Sequence, residues 1–203
     1  MNLCVEEVRI SISFDTNTYS HLYFVYMLES FLNSFLSFMT LAGHIGLVVF
    51  FVLYLFYRKT DWVNSLLNFL ADKAILLSFL LMLSSMIGSL VYSDIIGYIP
   101  CLLCWYQRIF IYSMTFMFAT ALVVKDKVYS RIYGLVLATA GGLIALYQYY
   151  LQMSGKDSLA CEIGGSISCS EIYTLSFGYI TIPLMALTVF VFVILLLVNK
   201  KRA

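Results

Sequence analysis

Four of the five cysteines in the chain form two pairs whose spacing suits redox chemistry. Cys101 and Cys104 are separated by two residues, and Cys161 and Cys169 are separated by seven. Two cysteines placed in this way can close a disulfide or exchange with a neighbouring one. Cys4 has no obvious partner, and we interpret it as a tail thiol. The sequence therefore makes thiol–disulfide exchange the first chemistry to consider.

The first pair stands where an apolar helix is predicted to begin. A thiol at a helix N-terminus has its thiolate stabilised by the helix dipole. Arg108 follows Cys104 by four residues, one turn along the same face, where its positive charge would add to this effect. The alternative is an interfacial anchor whose guanidinium reaches toward water. Spacing alone leaves both interpretations of Arg108 open.

The second pair encloses a short segment with Gly164 and Gly165 near its centre. A Gly-Gly turn lets the two ends fold back to the Cα separation of roughly 5.5–6 Å that a disulfide requires. For an isolated pair outside a cell, a structural disulfide is the ordinary interpretation. The presence of a second, exchange-competent pair favours a redox role instead.

Composition places these cysteines in a membrane protein. Of the 203 residues, 62% are hydrophobic and 11% are charged, with a mean hydropathy of +0.93. A soluble domain carries roughly 25% charged residues. A water-soluble enzyme, a nucleic-acid binder and a disordered protein are therefore excluded, and the net charge of +1 indicates no polyanionic partner.

Charge-free apolar runs predict five membrane-spanning helices, since about 20 apolar residues cross a bilayer. Alternation typical of barrel strands is absent, so the predicted fold class is an all-α integral membrane bundle. The third run is short, and its helix is expected to begin nearer Cys104. The runs are Phe31–Tyr57, Ala74–Ser93, Ile109–Val124, Ile132–Met153 and Ile172–Asn199, the last densest from Ile180.

The distribution of basic residues predicts the orientation. Nine of the 12 Lys and Arg residues fall on one side of the five spans, and Arg9, Arg108 and Lys156 fall on the other. Loops rich in Lys and Arg stay cytoplasmic, so the N-terminus and both cysteine pairs are expected outside. Outside the cell disulfides persist. The nine are Arg58, Lys59, Lys73, Lys125, Lys127, Arg131, Lys200, Lys201 and Arg202.

Three local patterns predict packing rather than chemistry. Gly134, Ala138 and Gly142 form a small-residue stripe that would let another helix approach closely. His44 is flanked by apolar residues, and we interpret it as packed or interfacial. A stretch from residue 19 to residue 28 is expected as an interfacial helix in an external tail.

Two metal-based interpretations of the cysteines are weaker. Seven residues between Cys161 and Cys169 exceed the two to four of usual zinc sites. Covalent haem attachment needs a histidine directly after Cys104, and Trp105 occupies that position. No metal site is predicted.

The segment from Gly97 to Arg108, with Pro-Cys-Leu-Leu-Cys-Trp-Tyr-Gln-Arg at its centre, resembles the DsbB/BdbC family of disulfide-bond-formation membrane oxidoreductases, in its short BdbC-like branch. A second match is Phe177-Gly-Tyr-Ile-Thr-Ile-Pro183. The resemblance covers residues 72–199. It implies a four-helix bundle that re-oxidises a thioredoxin-fold thiol oxidase of the DsbA/BdbD kind and passes the electrons to a membrane quinone, menaquinone or ubiquinone.

The resemblance also implies roles for the first cysteine pair and its neighbours. Cys104 resembles the thiolate that faces the quinone, and Cys101 the cysteine that shuttles electrons. Arg108 resembles the family's arginine beside the quinone, and Trp105 and Tyr106 are expected near the same site.

For the second pair, the resemblance implies contact with the soluble partner, and Cys161 is the expected site of the mixed disulfide with Cys169 as its mate. The pair is closer together than in the long-loop branch, which leaves the order of attack open.

The predicted division of the chain is an external tail (1–30), an extra transmembrane helix (31–57), a DsbB-like four-helix core (72–199) and a basic cytoplasmic tail (200–203). The tail and the extra helix have no counterpart in the family's core. The resemblance implies a prokaryotic plasma membrane, with the redox cysteines on the extracytoplasmic face.

Two alternatives compete with this interpretation. A vitamin K epoxide reductase-like enzyme also carries two cysteine pairs, but its Cys-x-x-Cys comes after the loop pair, whereas here it comes first. A non-catalytic membrane scaffold with two structural disulfides would belong to a different class. Loss of turnover on substitution of the cysteines would separate an enzyme from a scaffold.

Overall fold

A computed structural model describes residues 16–57, 60–155 and 168–199, with side chains from residue 23 onward. Cys4, Cys161, the Gly164-Gly165 turn, Arg58, Lys59, Lys156 and the basic tail lie outside the described residues. We number the helices in chain order. They are α1 (Thr16–Phe56), α2 (Asp61–Asp72), α3 (Ala74–Leu90, continued by a π-helical turn at Val91–Ile95), α4 (Leu102–Val124), α5 (Tyr129–Ser154) and α6 (Ile182–Val198).

Helices α3 to α6 form a four-helix bundle, as predicted. Each packs against the next in the chain, and α6 packs back against α3 to close the bundle. Its core is fully buried and apolar, with Met82, Met114, Phe118, Phe190 and Val193 all at 0% exposure. Because backbone polar groups in lipid must be satisfied within the chain, a helical bundle is the fold that these apolar segments can adopt.

Four helices are long and apolar enough to cross a membrane: α1 from Tyr23, α3 with its π-helical turn, α4 and α5. The helix α6 is apolar but has only 17 residues, about 26 Å of rise. The predicted fifth span began at Ile172, ten residues too early. Phe177 and Gly178 adopt positive φ angles and form a turn, and α6 starts only after it.

The N-terminal helix α1 is longer than predicted. It runs without a break over 41 residues, so the expected interfacial segment 19–28 belongs to the same helix as the apolar run from Phe31. No glycine or proline occurs between residues 16 and 42, and nothing in the local sequence stops the helix. The division of the chain at residue 30 remains a prediction.

Helix α2 was not predicted. It lies in the polar connection between α1 and α3 and buries Val63, Leu67 and Ala71, which recur every four residues on one face. The signal was a four-residue apolar period in a segment too short and too polar to span a membrane.

The small-residue stripe on α5 packs as predicted. A Cβ on Gly134 would lie 2.8 Å from side-chain atoms of Phe118 and Leu197, and Ala138 is fully buried. The stripe also includes Gly141, where a Cβ would come within 2.5 Å of the Phe190 ring. These residues let α5 lie close against α4 and α6.

The two ends of the bundle differ in chemistry. The end that carries Cys101, Cys104 and Cys169 is formed where α4 and α6 begin and α3 and α5 finish. At the opposite end, Arg131 donates hydrogen bonds to the backbone oxygens of Ala71 and Asn199, which joins α2, α5 and α6. We call these the cysteine end and the basic end.

Candidate functional site

The first cysteine pair forms the start of α4. Cys101 is extended, with φ −71° and ψ 173°, and its carbonyl oxygen accepts the first hydrogen bond of the helix from Trp105 N at 3.1 Å. Cys104 lies in the first turn. The two Sγ atoms are 3.1 Å apart, and both cysteines are free thiols. This separation permits disulfide formation with little movement.

Cys169 lies in the same buried cluster as this pair. It is disulfide-bonded and 1% exposed, and the cluster contains Cys101, Leu103 and Leu151, with Cys104 packed against it. The expected partner of Cys169, Cys161, lies outside the described residues. The fold therefore brings three of the four predicted redox cysteines together at the cysteine end.

Two buried glutamines complete the site, and the sequence analysis missed both. Gln148 on α5 is 2% exposed, and its side-chain amide nitrogen donates to Cys101 Sγ at 3.2 Å and to Cys104 Sγ at 3.1 Å. Gln107 on α4 donates in turn to Gln148 Oε1. The signal in the sequence was the presence of polar amides inside apolar spans, because an amide buried away from water needs a hydrogen-bond partner.

Arg108 lies one turn beyond Cys104, half-buried against α3. Its Nε donates to Ser89 Oγ at 2.9 Å, and its Nη2 donates to the Ser89 carbonyl oxygen at 3.0 Å. The guanidinium carbon lies 5.3 Å from the centre of the Trp105 ring, a cation–π contact. Trp105 is 52% exposed and Tyr106 is 44% exposed on the outer surface of α4.

The surroundings of Cys101 favour its protonated form. The hydrogen bond with Cys104 and then burial raise the pKa of the Cys101 thiol. In contrast, Cys104 accepts the Gln148 N–H and lies in the first turn of α4, one turn before Arg108. The two sulfurs of the pair therefore differ in their surroundings.

The loop before Cys101 is held by three stacked tyrosines. Tyr98 stacks on Tyr92 with ring centres 5.6 Å apart and on Tyr173 at 4.6 Å. Tyr98 also donates to a carboxylate oxygen of Glu29 on α1. Burial and this bond raise the pKa of Tyr98 to about 12, so its hydroxyl stays protonated and donates.

The segment around Cys169 is fixed to α5. The hydroxyls of Ser168 and Ser170 are 2.7 Å apart, and Ser170 N donates to Ser168 Oγ, which tightens the turn. Gln152 Nε2 donates to the Glu171 carbonyl oxygen at 2.8 Å. These contacts hold Cys169 against the end of the bundle.

The arrangement of this site agrees with comparisons to known proteins. Residues 71–199 match the family model described as disulfide bond formation protein DsbB, which is more than half of the chain. The chain belongs to the DsbB family. Its members are disulfide bond formation proteins, and this one is a multi-pass membrane oxidoreductase of that family.

Individual DsbB-family relatives support the same assignment. The chain is 41% identical over 111 residues to the SPbeta prophage-derived disulfide bond formation protein B of Bacillus subtilis, covering 55% of this chain and 74% of that protein. It is 36% identical over 138 residues to a probable disulfide formation protein of Oceanobacillus iheyensis, covering 65% and 92%. The identity to disulfide bond formation protein C of Bacillus subtilis is 36% over 125 residues, covering 61% and 89%. No solved structure shows significant similarity.

The family match accounts for α3 to α6 and the cysteine end. It begins at residue 71, so α1 and nearly all of α2 lie outside it. The family shown by the match is DsbB, the interpretation that the order of the two cysteine pairs favoured over a vitamin K epoxide reductase-like enzyme.

Proposed function

We propose that this protein is a quinone-dependent dithiol oxidase that re-oxidises a thioredoxin-fold thiol oxidase of the DsbA/BdbD kind. The observation that carries the proposal is the packing of disulfide-bonded Cys169 in one cluster with the free pair Cys101 and Cys104. Thiol–disulfide exchange needs one sulfur to reach another, and this cluster contains Cys169 together with Cys101 and Cys104.

The first half of the reaction is exchange between proteins. We propose that Cys161 is the partner of Cys169, and that a thiolate of the reduced oxidase attacks Cys161 and releases Cys169 as a thiolate. The second thiol of the oxidase then attacks the mixed disulfide, which leaves the oxidase oxidised and the Cys161–Cys169 pair reduced. Two electrons and two protons have moved to the membrane protein.

The second half moves the electrons inward. The Cys169 thiolate attacks an oxidised Cys101–Cys104 pair at Cys101, and Cys161 resolves the resulting Cys101–Cys169 bond. This restores the outer disulfide and leaves Cys104 as the thiolate. Gln148 and the first turn of α4 stabilise that charge before the pair is oxidised again.

The residues beside Cys104 fit a quinone. Two nitrogens of Arg108, Nε and Nη2, donate hydrogen bonds to Ser89, and the third, Nη1, donates to none of the described residues. The Trp105 ring, over which the guanidinium lies, is exposed at the surface of a membrane helix. A bound quinone would supply the acceptor for two electrons and two protons. Arg108 would bind its carbonyl oxygen, and Trp105 would pack on its ring, while no described contact joins Tyr106 to this site.

We propose the prokaryotic plasma membrane as the location, with the cysteine end outside. Lys73, Lys125, Lys127 and Arg131 occupy the basic end, which supports a cytoplasmic position for that end. An impermeant thiol reagent added to whole cells tests this face. It should label the reduced loop pair, and labelling only after the cells are opened would contradict the assignment.

The function is tested with the purified protein in detergent, a reduced thioredoxin-fold oxidase and a quinone whose absorbance is followed. We expect turnover that is lost in Cys101→Ser and Cys104→Ser. We expect Cys161→Ser to stop oxidation of the protein partner while a small dithiol still drives the inner pair. Cys4→Ser is the matched control and should keep full turnover. Turnover that survives all three redox-cysteine substitutions would indicate a scaffold.

A further inference from the structure

Helix α1, which lies outside the family match, contacts the segment that leads into the redox pair. Tyr98 donates to the Glu29 carboxylate, and Tyr92 donates to Asn33 Oδ1 at 2.6 Å. Glu29 and Asn33 are four residues apart and therefore lie on one face of α1. That face of α1 accepts two hydrogen bonds, one from the π-helical turn that continues α3 and one from the loop between that turn and Cys101.

A second attachment joins α1 to the loop before α6 and to α6 itself. The ring nitrogens of His44 lie 2.9 Å from Thr188 Oγ1 and 3.2 Å from the Tyr179 hydroxyl, and its ring stacks on Tyr179. The absence of a side chain at Gly43 lets α1 approach Phe192, since a Cβ there would be 3.1 Å from the ring. His44 is thus packed, as predicted, and it anchors α1 to the start of α6.

The contacts of α1 reach Cys101 through a short path. Tyr98 stacks on Tyr173, and the Tyr173 hydroxyl donates to the Ile99 carbonyl oxygen at 3.1 Å, two residues before Cys101. The intervening segment from residue 96 to Cys101 is not helical. Its other described backbone bonds are donated by Ile96 N and Tyr98 N at its beginning and accepted by the Cys101 carbonyl oxygen at its end. Between these two ends, the tyrosine stack and the Tyr173 hydrogen bond support the loop that leads to Cys101.

We propose that α1 is an intramolecular clamp on the redox loop, which we define as residues 96–101. In this clamp, Glu29 and Asn33 are positioning residues. They act through Tyr98 and Tyr92 on the Cys101–Cys104 pair. The catalytic consequence of the clamp rests on the proposed function. Its structural consequence, a closed and buried Cys101, does not depend on the quinone or on the partner protein.

The test compares Glu29→Ala with Glu29→Gln, which keeps an oxygen that can accept the Tyr98 hydrogen bond. We expect Glu29→Ala to slow dithiol-driven quinone reduction by about 10-fold, the equivalent of about 1.4 kcal/mol. Glu29→Gln should recover most of the rate. Ser34→Ala is the matched control, because Ser34 is an exposed polar residue of the same helix, and it should match the unsubstituted protein.

A double substitution separates positioning from general stability. If Glu29 acts through Tyr98, Tyr98→Phe alone should give the same loss, and Glu29→Ala added to Tyr98→Phe should change the rate by less than about 2-fold. Multiplied losses in the double variant would overturn the clamp. Tyr98→Phe removes one hydroxyl only, so it remains informative even where Glu29→Ala impairs folding.

A measurement without quinone distinguishes failure of the clamp from failure of the proposed function. Cys101 is 6% exposed, and we expect a maleimide to modify it about 10-fold faster in the reduced Glu29→Ala variant than in the reduced Glu29→Gln variant. Equal modification rates would overturn the clamp. An unsubstituted protein that fails to reduce quinone, with this difference intact, would refute only the proposed function.

Discussion

Gln148 donates its side-chain N–H to the sulfur of Cys104 at 3.1 Å across the contact between α5 and α4. Gln107 fixes the amide by donating to its oxygen, so the nitrogen of Gln148 faces the two sulfurs. Both glutamines are buried. In a low-dielectric environment, a hydrogen bond to a charged sulfur is stronger than one made in water. In the proposed mechanism, the amide pair therefore stabilises the Cys104 thiolate from which the electrons leave.

We predict that Gln148→Leu slows quinone reduction by about 10-fold or more, because hydrogen bonds to charged groups contribute about 1.5–3 kcal/mol. The measurement is single-turnover oxidation of the reduced Cys101–Cys104 pair. Gln152→Leu is the control, since Gln152 lies one turn further along α5 and donates to Glu171 instead of a sulfur. Equal oxidation rates in Gln148→Leu and the unsubstituted protein would contradict this role.

Arg108→Ala is expected to raise the KM for quinone by about 10-fold, because it removes the positive charge that would bind a carbonyl oxygen. Arg108→Lys should give a smaller increase in KM, because the lysine keeps the positive charge. It should not restore the KM fully, since one ammonium cannot make both bonds to Ser89 and the contact with the Trp105 ring. Steady-state kinetics at varied quinone concentration provides the measurement.

Arg131→Ala is the control for that prediction. Arg131 also bonds backbone oxygens, but at the basic end, so its loss should lower the melting temperature and leave the KM for quinone unchanged. A KM that responds equally to both arginines would show that the Arg108 effect is general destabilisation.

The glycines of α5 give a stability prediction. A Cβ on Gly141 would lie 2.5 Å from the Phe190 ring, whereas a Cβ on Gly142 would lie at an ordinary 3.5 Å. We expect Gly141→Ala to lower the free energy of unfolding by about 1–3 kcal/mol through overpacking. Gly142→Ala should be neutral or stabilising. Thermal unfolding in detergent measures both, and the reverse order would contradict the packing described for α5 and α6.

The raised pKa of Tyr98 predicts a stability change at alkaline pH. The unfolded group ionises near pH 10.0 and the folded group near 12, so the folded state keeps its proton longer. This contribution is complete below pH 10 and is lost as the pH rises to about 12. Melting temperatures across that range should fall more steeply for the unsubstituted protein than for Tyr98→Phe. Parallel curves would show that folding does not raise the pKa of Tyr98.

Much of the bundle was predictable because a membrane leaves few alternatives. The length of the charge-free apolar runs located α3, α4 and α5. The Cys-x-x-Cys motif marked the start of α4 to within a few residues. The spacing of Gly134 and Ala138 identified the packed face of α5. Each of these features depends on the local sequence and on the thickness of lipid.

The features that were missed depend on how helices rotate and meet. Nothing in the residues around Gln148 indicates that it faces Cys104 on another helix, 44 positions away. The contact between Glu29 and Tyr98 joins residues 69 positions apart in the same way. Such contacts follow from the assembled bundle, and they include the contacts to which we assign an effect on the redox pair.

The most direct test of the relay is to trap its internal bond. A Cys4→Ser/Cys104→Ser/Cys161→Ser protein retains only Cys101 and Cys169, which share one buried cluster. We predict that mild oxidation joins them, and that mass spectrometry of the digested protein finds the Cys101–Cys169 linkage in most molecules. If both cysteines remain free thiols under conditions that oxidise the unsubstituted protein, the two pairs do not exchange, and the proposed path of electrons is wrong.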